Sequence, residues 1–244
     1  MGLNALEDYS IGVAGGFTQP IDPSLVPSVT NYLSIFGAVG MTAYFGFLEV
    51  CEPKEGETVL VTGAAGAVGS LVGQLAKIHG CRAVGIAGGP EKCARLTEKY
   101  GFDAAIDYKG KDEAALTAAI KQDCPAGVDV IFENVGGIIL DAGLMNLNLY
   151  SRVGLCGLIS EYNTRPRGAR NLWNLIVTRS SIRGLLVMDY VERFPEGAAK
   201  MGEWAAAGKL TIDEHIDEGL ENAFDSFMRL FAGTNDGKMI LKIA

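Results

Sequence analysis

The chain has 244 residues, enough for one or two domains at roughly 150 residues each. Its composition, 48% apolar and 20% charged, is that of a chain with a packed core and excludes a disordered protein. The net charge of −8 argues against a nucleic-acid partner, because such a partner normally meets a basic face. The 32 glycines, without a collagen-like period, predict many tight turns and close backbone approaches.

The cysteine and histidine content argues against a disulfide framework and against a metal site. The five cysteines are odd in number and widely spaced, no C-x-x-C occurs, and only His79 and His215 are present. We therefore expect reduced thiols in a cytoplasmic protein without metal. The N-terminus shows no secretory pattern, and the uncharged runs 23–48 and 58–76 are too polar and glycine-rich for a membrane span.

From residue 57 onward, short apolar runs alternate with segments of helical spacing. Strands are predicted at 58–62, 82–87, 104–107, 128–133, 152–157 and 181–187. Helices are predicted between them at 70–78, 91–100, 112–122, with Asp112 as the cap, and 138–147. This alternation predicts an α/β fold, a doubly wound parallel sheet of Rossmann type with helices on both faces.

Both ends of the chain depart from this alternation. After helix 194–207 come an extended piece at 210–216, a helix at 220–232 and a closing strand at 238–243. That last helix carries one apolar stripe, formed by Leu220, Phe224, Phe227, Met228 and Phe231. The first 35 or so residues contain several prolines and resemble the end of another unit followed by a linker.

A glycine-rich loop lies between the first strand and the first helix of the alternating region. It reads Ala64, Ala65, Gly66, Ala67, Val68, Gly69. In this βαβ context the pattern is typical of a dinucleotide site: Gly66 lets the backbone approach a pyrophosphate, Gly69 permits tight packing, and the helix N-terminus offers free N–H groups. The first glycine of the usual fingerprint is replaced by Ala64, so the alternative of an ordinary glycine turn stays open.

The end of the second strand favours NADP over NAD. An NAD site usually has an acid there to bind the ribose 2′-hydroxyl, but this strand ends without one and Lys92 follows within the next turn. A lysine attracts a 2′-phosphate that a carboxylate would repel. The alternative is a solvated helix lysine.

Taken together, six segments resemble the zinc-independent branch of the medium-chain dehydrogenase/reductase superfamily. They are 64–69, 85–92, 107–109, 134–137, 156–162 and 233–238. The nearest group is that of the prostaglandin reductases, or leukotriene B4 12-hydroxydehydrogenases, which are NADP-dependent alkenal and enone reductases. The resemblance covers residues 8–244 and implies hydride transfer from NADPH to an α,β-unsaturated carbonyl substrate, without metal.

The resemblance also implies roles for single residues. The loop from Gly66 to Gly69 holds the pyrophosphate, Lys92 and Tyr108 contact the 2′-phosphate, and Thr42 approaches the nicotinamide. Further cofactor contacts are implied for Asn134, Cys156, Gly157, Leu158, Ile159, Ser160, Tyr162, Leu185, Leu186, Val187 and Asn235. Tyr162 is the candidate catalytic hydroxyl, with solvent or the ribose hydroxyl as the alternative proton source. Tyr108 could instead be an edge aromatic, Asn134 a turn former, and Cys156 a buried filler.

Compared with that family, the chain shows two departures. Ala38-Val39 stands where family members usually have Met-Pro, and the resemblance implies that this sequence contains only the end of the family's N-terminal domain. We divide the chain into a remnant of a GroES-like β domain with its linker (1–30), an NADP-binding domain (31–210) and a C-terminal segment returning to the catalytic-domain side (211–244). A homodimer is expected, with apolar surface exposed around Tyr32, Phe36 and Phe45. The alternatives are a non-catalytic NADP-binding or assembly module and a quinone reductase of the same superfamily.

Overall fold

A parallel sheet of six strands organises the region that the sequence predicted to alternate. The computed structural model describes Glu7, residues 20–164 and residues 167–243. The strands lie in the order β3-β2-β1-β4-β5-β6. Their bounds are Thr58–Thr62 (β1), Arg82–Ala87 (β2), Ala104–Asp107 (β3), Val128–Glu133 (β4), Leu147–Leu155 (β5) and Ser181–Gly184 (β6). The predicted doubly wound fold is confirmed, and its strand order reverses between β1 and β4.

Helices cover both faces of this sheet. Those described here are Ala38–Phe45 (α1), Ala67–Ile78 (α2), Pro90–Glu98 (α3), Glu113–Asp123 (α4), Gly137–Leu144 (α5), Trp173–Thr178 (α6) and Phe194–Ala206 (α7). Alternate residues of β1 enter two separate cores. Val59 and Val61 join the core that includes Met41 of α1, whereas Leu60 joins the core that includes Leu116 of α4. A central strand buried on both faces explains the continuous apolar run at 58–61.

Several predicted boundaries shift in the structure. α2 begins at Ala67 rather than residue 70, and α5 ends at Leu144, because Leu147 already pairs with Val128 of β4. α1 and α6 were not predicted, and most of α1 is buried, so it lacks an amphipathic period. The expected exposure around Phe45 is wrong, because its ring is fully buried and stacks on Tyr190 with centroids 4.7 Å apart.

A second, smaller sheet is formed by the C-terminal segment. Its two parallel strands are Glu214–Glu218 (β7) and Lys238–Lys242 (β8), joined through the helix Ala223–Ala232 (α8). The apolar stripe of α8 lies open, with Phe224 71% and Phe227 56% exposed. Most of the predicted remnant 1–30 lies outside the described residues. Within the described part of the chain, no helix has the length and apolar character needed to cross a membrane.

Candidate functional site

The loop between β1 and α2 leaves the N-terminus of α2 without a side-chain cap. Gly63 adopts a φ of +58°, and α2 starts directly after Gly66, where no side chain accepts a hydrogen bond from the first turn. A Cβ on Gly69 would lie 2.5 Å from the Gly63 carbonyl oxygen, so this position needs glycine for the loop to close on the helix. The first-turn N–H groups and the helix dipole therefore form a place for an anion.

Beside this loop, a hydrogen-bonded junction connects the ends of β1 and β4. The hydroxyl of Thr62 donates to Oε1 of Glu133 over 2.8 Å and accepts from the backbone N–H of Asn134, also over 2.8 Å. The side-chain amide of Asn134 donates to the Thr62 carbonyl over 2.7 Å. Asn134 is thus fixed at the point where the strand order reverses, which is where ligands bind in open α/β sheets.

The segment after β5, residues 156–162, runs along the turn that follows β4. The backbone N–H groups of Cys156 and Gly157 donate to the Glu133 carbonyl, and those of Ile159 and Ser160 donate to the carbonyls of Asn134 and Val135. These contacts bring the predicted 156–162 segment beside Asn134, at the same edge of the sheet. Leu158 is half-buried, whereas Ile159 and Ser160 are exposed.

Two side chains of this segment could carry chemistry. Tyr162 is 62% exposed, and its hydroxyl oxygen accepts a hydrogen bond from the Leu158 N–H over 3.2 Å. A phenol that accepts through its oxygen still has its hydrogen to donate. Burial raises the pKa of the Cys156 thiol to about 11, so this side chain is a weak nucleophile.

A second group of residues gathers at the end of β2. The ring of Tyr108 packs over Gly88, where a Cβ would come within 3.0 Å of its hydroxyl. Lys92 points into this region from α3, and burial lowers the pKa of its ammonium, an effect that Asp236 partly offsets. Lys109, which the sequence analysis did not assign, places its Nζ 3.8 Å from a Cβ built on Gly89. The signal for Lys109 was its position beside Tyr108.

The C-terminal segment connects the two groups. Gly237 forms an isolated parallel bridge with Gly66, and the Lys92 ammonium donates to the Asn235 carbonyl over 3.1 Å. The Asn235 side chain is 9% exposed, and its amide donates to the Gly237 carbonyl over 3.0 Å. The loop before β8 therefore lies across the start of α2.

The remaining predicted residues flank this edge on the α1 side. Thr42 is half-buried on α1, which packs against α2. Leu185 follows β6, its N–H donates to the Leu155 carbonyl over 3.0 Å, and its side chain covers Gly46. Leu186 is 61% exposed, and Val187 is half-buried at the start of a 3₁₀ segment.

Nothing in the described ranges suggests a metal centre, because no three His, Cys, Asp or Glu side chains cluster there. What the edge offers instead is an uncapped helix N-terminus, a junction of polar groups and two lysines. This combination suits a ligand with two separate phosphate groups. Thr62 and Glu133, which are fully buried beneath the site and support it, were missed, since a Thr and a Glu at strand ends carry no motif.

The chain is similar to known proteins over most of its length. Residues 67–203 match the family model described as zinc-binding dehydrogenase. The chain is 45% identical over 244 residues to the NADP(+)-dependent 2-alkenal reductase of Nicotiana tabacum, covering 100% of this chain and 70% of that protein. It is 41% identical over 213 residues to prostaglandin reductase 1 of Bos taurus, covering 86% of this chain and 64% of that protein.

A solved structure extends the comparison to three dimensions. CurA of Vibrio vulnificus, in complex with NADPH, superposes with a TM-score of 0.82 at 42% identity. The match covers 88% of this chain and 65% of that chain. The chain therefore spans about two thirds of the length of these relatives.

Proposed function

Because the chain belongs to the zinc-binding dehydrogenase family of the medium-chain dehydrogenase/reductase superfamily, we propose that it binds NADPH. We further propose that its chemistry is the reduction of the C=C bond of α,β-unsaturated aldehydes and ketones. The observation that carries the proposal is the uncapped start of α2 beside Lys92 and Lys109. The relatives named as alkenal and prostaglandin reductases support the substrate class.

The loop residues fit a dinucleotide pyrophosphate. A Cβ on Gly66 would meet only the Gly63 carbonyl oxygen, 3.2 Å away, a tight contact that a shift of a few tenths of an ångström in the loop would relieve. The missing side chain of Gly66 leaves room for a phosphate to approach the N–H groups of Ala67, Val68 and Gly69.

The group at the end of β2 fits a 2′-phosphate. Lys92 and Lys109 supply positive charge, and Tyr108 supplies a hydroxyl and a ring face. Asp107 stands nearby, but its Oδ1 accepts hydrogen bonds from the N–H groups of Gly89 and Lys109. Its carboxylate therefore binds backbone N–H groups and is not assigned to a ribose hydroxyl.

The remaining predicted residues surround the part of the site where the nicotinamide and the substrate react. When bound, NADPH supplies the hydride. Asn134 and the 156–162 segment line one side, and Thr42 with Leu185 to Val187 line the other. Tyr162 donates its phenolic hydrogen to the carbonyl oxygen of the substrate, which stabilises the negative charge that develops there.

The proposal extends to the domain organisation, the oligomeric state and the location of the protein. Residues 31–210 form the cofactor domain, and residues 211–244 belong with the catalytic side, which the open stripe of α8 supports. A homodimer is supported by the exposed edge strand β6. A cytoplasmic location is supported by the five cysteines, all of which are free thiols.

Ligand-dependent thermal unfolding tests cofactor binding directly. NADPH at about a hundred times its Kd should stabilise the folded chain by about 2.7 kcal/mol, and NADH at the same concentration should stabilise it less. An unchanged melting temperature with saturating NADPH would refute the proposal.

NADPH consumption with trans-2-nonenal then tests the chemistry. Turnover by this chain supports the reductase function. Stabilisation without turnover would leave this chain as a cofactor-binding module, and turnover with a quinone panel but not with enals would favour the quinone reductase alternative.

A further inference from the structure

Glu133 is a fully buried acid with one oxygen in use and one without a partner. Its Oε1 accepts hydrogen bonds from the Thr62 hydroxyl at 2.8 Å, the Val135 N–H at 2.6 Å and the Gly136 N–H at 2.8 Å. Its Oε2 is the one buried side-chain polar atom in the described residues for which no hydrogen-bond partner exists. A buried polar group with this imbalance calls for an explanation.

The three bonds to Oε1 determine the geometry of the cofactor edge. The Thr62 hydroxyl can accept from the Asn134 N–H because its own hydrogen is directed to Glu133. The same oxygen closes the turn that precedes α5 through Val135 and Gly136. Glu133 itself lies beneath this edge, at zero exposure, and does not reach the surface where a ligand would bind.

We propose that Glu133 is a positioning residue, which through Thr62 holds Asn134 and the 134–137 turn in the arrangement that binds NADPH. The inference rests on the proposed function for the identity of the ligand. The geometry of Thr62, Asn134 and the 134–137 turn is observed without the ligand.

Complete burial favours the neutral form of Glu133 over the carboxylate. The largest influences on Glu133 are burial and hydrogen bonds from its neighbours, and the titratable group beside it is the Cys156 thiol, which burial keeps protonated. Burial raises the pKa of Glu133, against the opposing hydrogen bonds from Gly136, Val135 and Thr62. A proton on Oε2 removes a buried charge, which costs more than the unpaired hydroxyl that it leaves, and Oε1 still accepts all three bonds.

Four variants separate positioning from simple stability. Glu133→Gln keeps the accepting oxygen and mimics the neutral acid, whereas Glu133→Ala removes the acceptor. Thr62→Ser keeps the relaying hydroxyl, whereas Thr62→Val removes it at nearly constant shape. We expect Glu133→Ala and Thr62→Val to weaken NADPH binding about tenfold, measured by fluorescence titration, because buried donors lose their acceptor. Glu133→Gln and Thr62→Ser should stay within about twofold of the parent.

NADPH binding by the parent chain distinguishes a failure of the proposed function from a failure of the inference about Glu133. If the parent chain does not bind NADPH, the proposed function fails, and the inference is then decided by protonation and amide exchange alone. If it binds and folded Glu133→Ala binds equally well, Glu133 has no positioning role and the inference fails.

Protonation is measured without any cofactor. At about pH 5, where an ordinary glutamate is mostly ionised, the infrared carbonyl band of a buried protonated carboxylic acid should be present in the parent and absent in Glu133→Gln. Because the folded pKa is raised, the stabilisation from Glu133 is present at low pH and is lost as the pH rises toward that pKa. Melting temperatures from about pH 5 to about pH 8 should therefore decline more in the parent than in Glu133→Gln. Equal declines without the infrared band would overturn the neutral-acid assignment.

Amide hydrogen exchange completes the test. The N–H groups of Val135 and Gly136 should lose protection in Glu133→Ala and keep it in Glu133→Gln, because only the latter retains the acceptor. Unchanged protection in folded Glu133→Ala would overturn the claim that Glu133 fixes this turn.

Discussion

The ammonium of Lys92 and the backbone carbonyl of Asn235, 143 residues apart in sequence, are joined by a hydrogen bond of 3.1 Å. One helical turn further along α3, Arg95 pairs with Asp236 at 2.6 Å. Together these contacts hold the loop before β8 at the start of α2. The residues proposed to bind the 2′-phosphate and the C-terminal segment are therefore parts of one site. A substitution in either should alter the position of the other.

Replacing Lys92 by methionine should reduce the preference for NADPH over NADH. The variant keeps most of the apolar stem but removes the charge that we assign to the 2′-phosphate. A charge-assisted hydrogen bond contributes about 1.5–3 kcal/mol, so NADPH affinity should fall about tenfold or more. NADH affinity, measured by the same titration, should change little.

A matched lysine on another helix controls for the loss of a positive charge. Lys121 is exposed on α4, and Lys121→Met should leave both affinities unchanged. Lys109→Met should weaken NADPH binding less than Lys92→Met, because Lys109 is more exposed. Equal loss of NADH affinity in Lys92→Met would show that the lysine acts on the loop rather than on the phosphate.

Two glycines of the phosphate loop should respond differently to alanine. At Gly66 the new Cβ has only one close neighbour, at 3.2 Å, and the backbone φ of −79° suits any residue. Gly66→Ala should fold with only a small loss of stability, because the loop must shift by a few tenths of an ångström, and yet lose most of its NADPH binding, because the methyl group occupies the path of the pyrophosphate. At Gly69 the Cβ would lie 2.5 Å from a backbone oxygen, so Gly69→Ala should lower the melting temperature itself.

Gly202 provides the control for glycine replacement. It lies inside α7, where a Cβ would meet nothing closer than the Phe36 ring at 3.4 Å. Gly202→Ala should raise the free energy of unfolding by about 0.5–1 kcal/mol without altering cofactor affinity. Normal NADPH binding by Gly66→Ala would contradict the role assigned to the loop.

The buried thiols should resist alkylation in the folded chain. Burial raises the pKa of Cys156 to about 11 and that of Cys51 to about 12, with smaller charge effects on each. Since the thiolate is the reactive form, iodoacetamide at neutral pH should modify Cys156 roughly a hundredfold more slowly than an unperturbed thiol. Peptide mass spectrometry before and after denaturation measures this. Rapid labelling of native Cys156 would instead identify it as a reactive cysteine.

The parts of this fold that the sequence predicted are those with a strong local pattern. β4 was predicted to the residue because its apolar run is bounded by Gly127 and by the turn at Gly136, both with positive φ. α1 lacked such a pattern because burial on most sides removes the amphipathic period. Asp112 as the cap of α4 was confirmed, since its side chain accepts from the Ala115 N–H.

The site residues that lie in sequence motifs were predictable. Contacts between segments that only the fold brings together were not. Gly66 and Lys92 lie in segments whose spacing indicates a phosphate. By contrast, the contact of Lys92 with Asn235 depends on where the C-terminal loop packs, and the bond from Thr62 to Glu133 depends on β1 lying beside β4. Strand adjacency is a property of the whole sheet, and local sequence does not encode it.

Association through the edge of the sheet is the last prediction. β6 is exposed along its whole length, and in the adjacent α6 the side chains of Trp173 and Ile176 are 68% and 66% exposed. An unpaired strand edge beside an apolar helix is a surface that a second copy can cover by continuing the sheet. Light scattering after size exclusion should therefore give a dimer mass for the parent chain.

The variant Trp173→Asp should convert that dimer into monomer, because an aspartate buried at the contact would lose its water without gaining a partner. Phe224→Asp makes the same kind of change at an equally exposed aromatic of α8 and should leave the dimer intact. Comparing the two variants distinguishes a specific contact at the sheet edge from nonspecific association of apolar surfaces. A monomeric parent would refute the predicted dimer, and a dimer lost only in Phe224→Asp would place the interface at α8 rather than at β6.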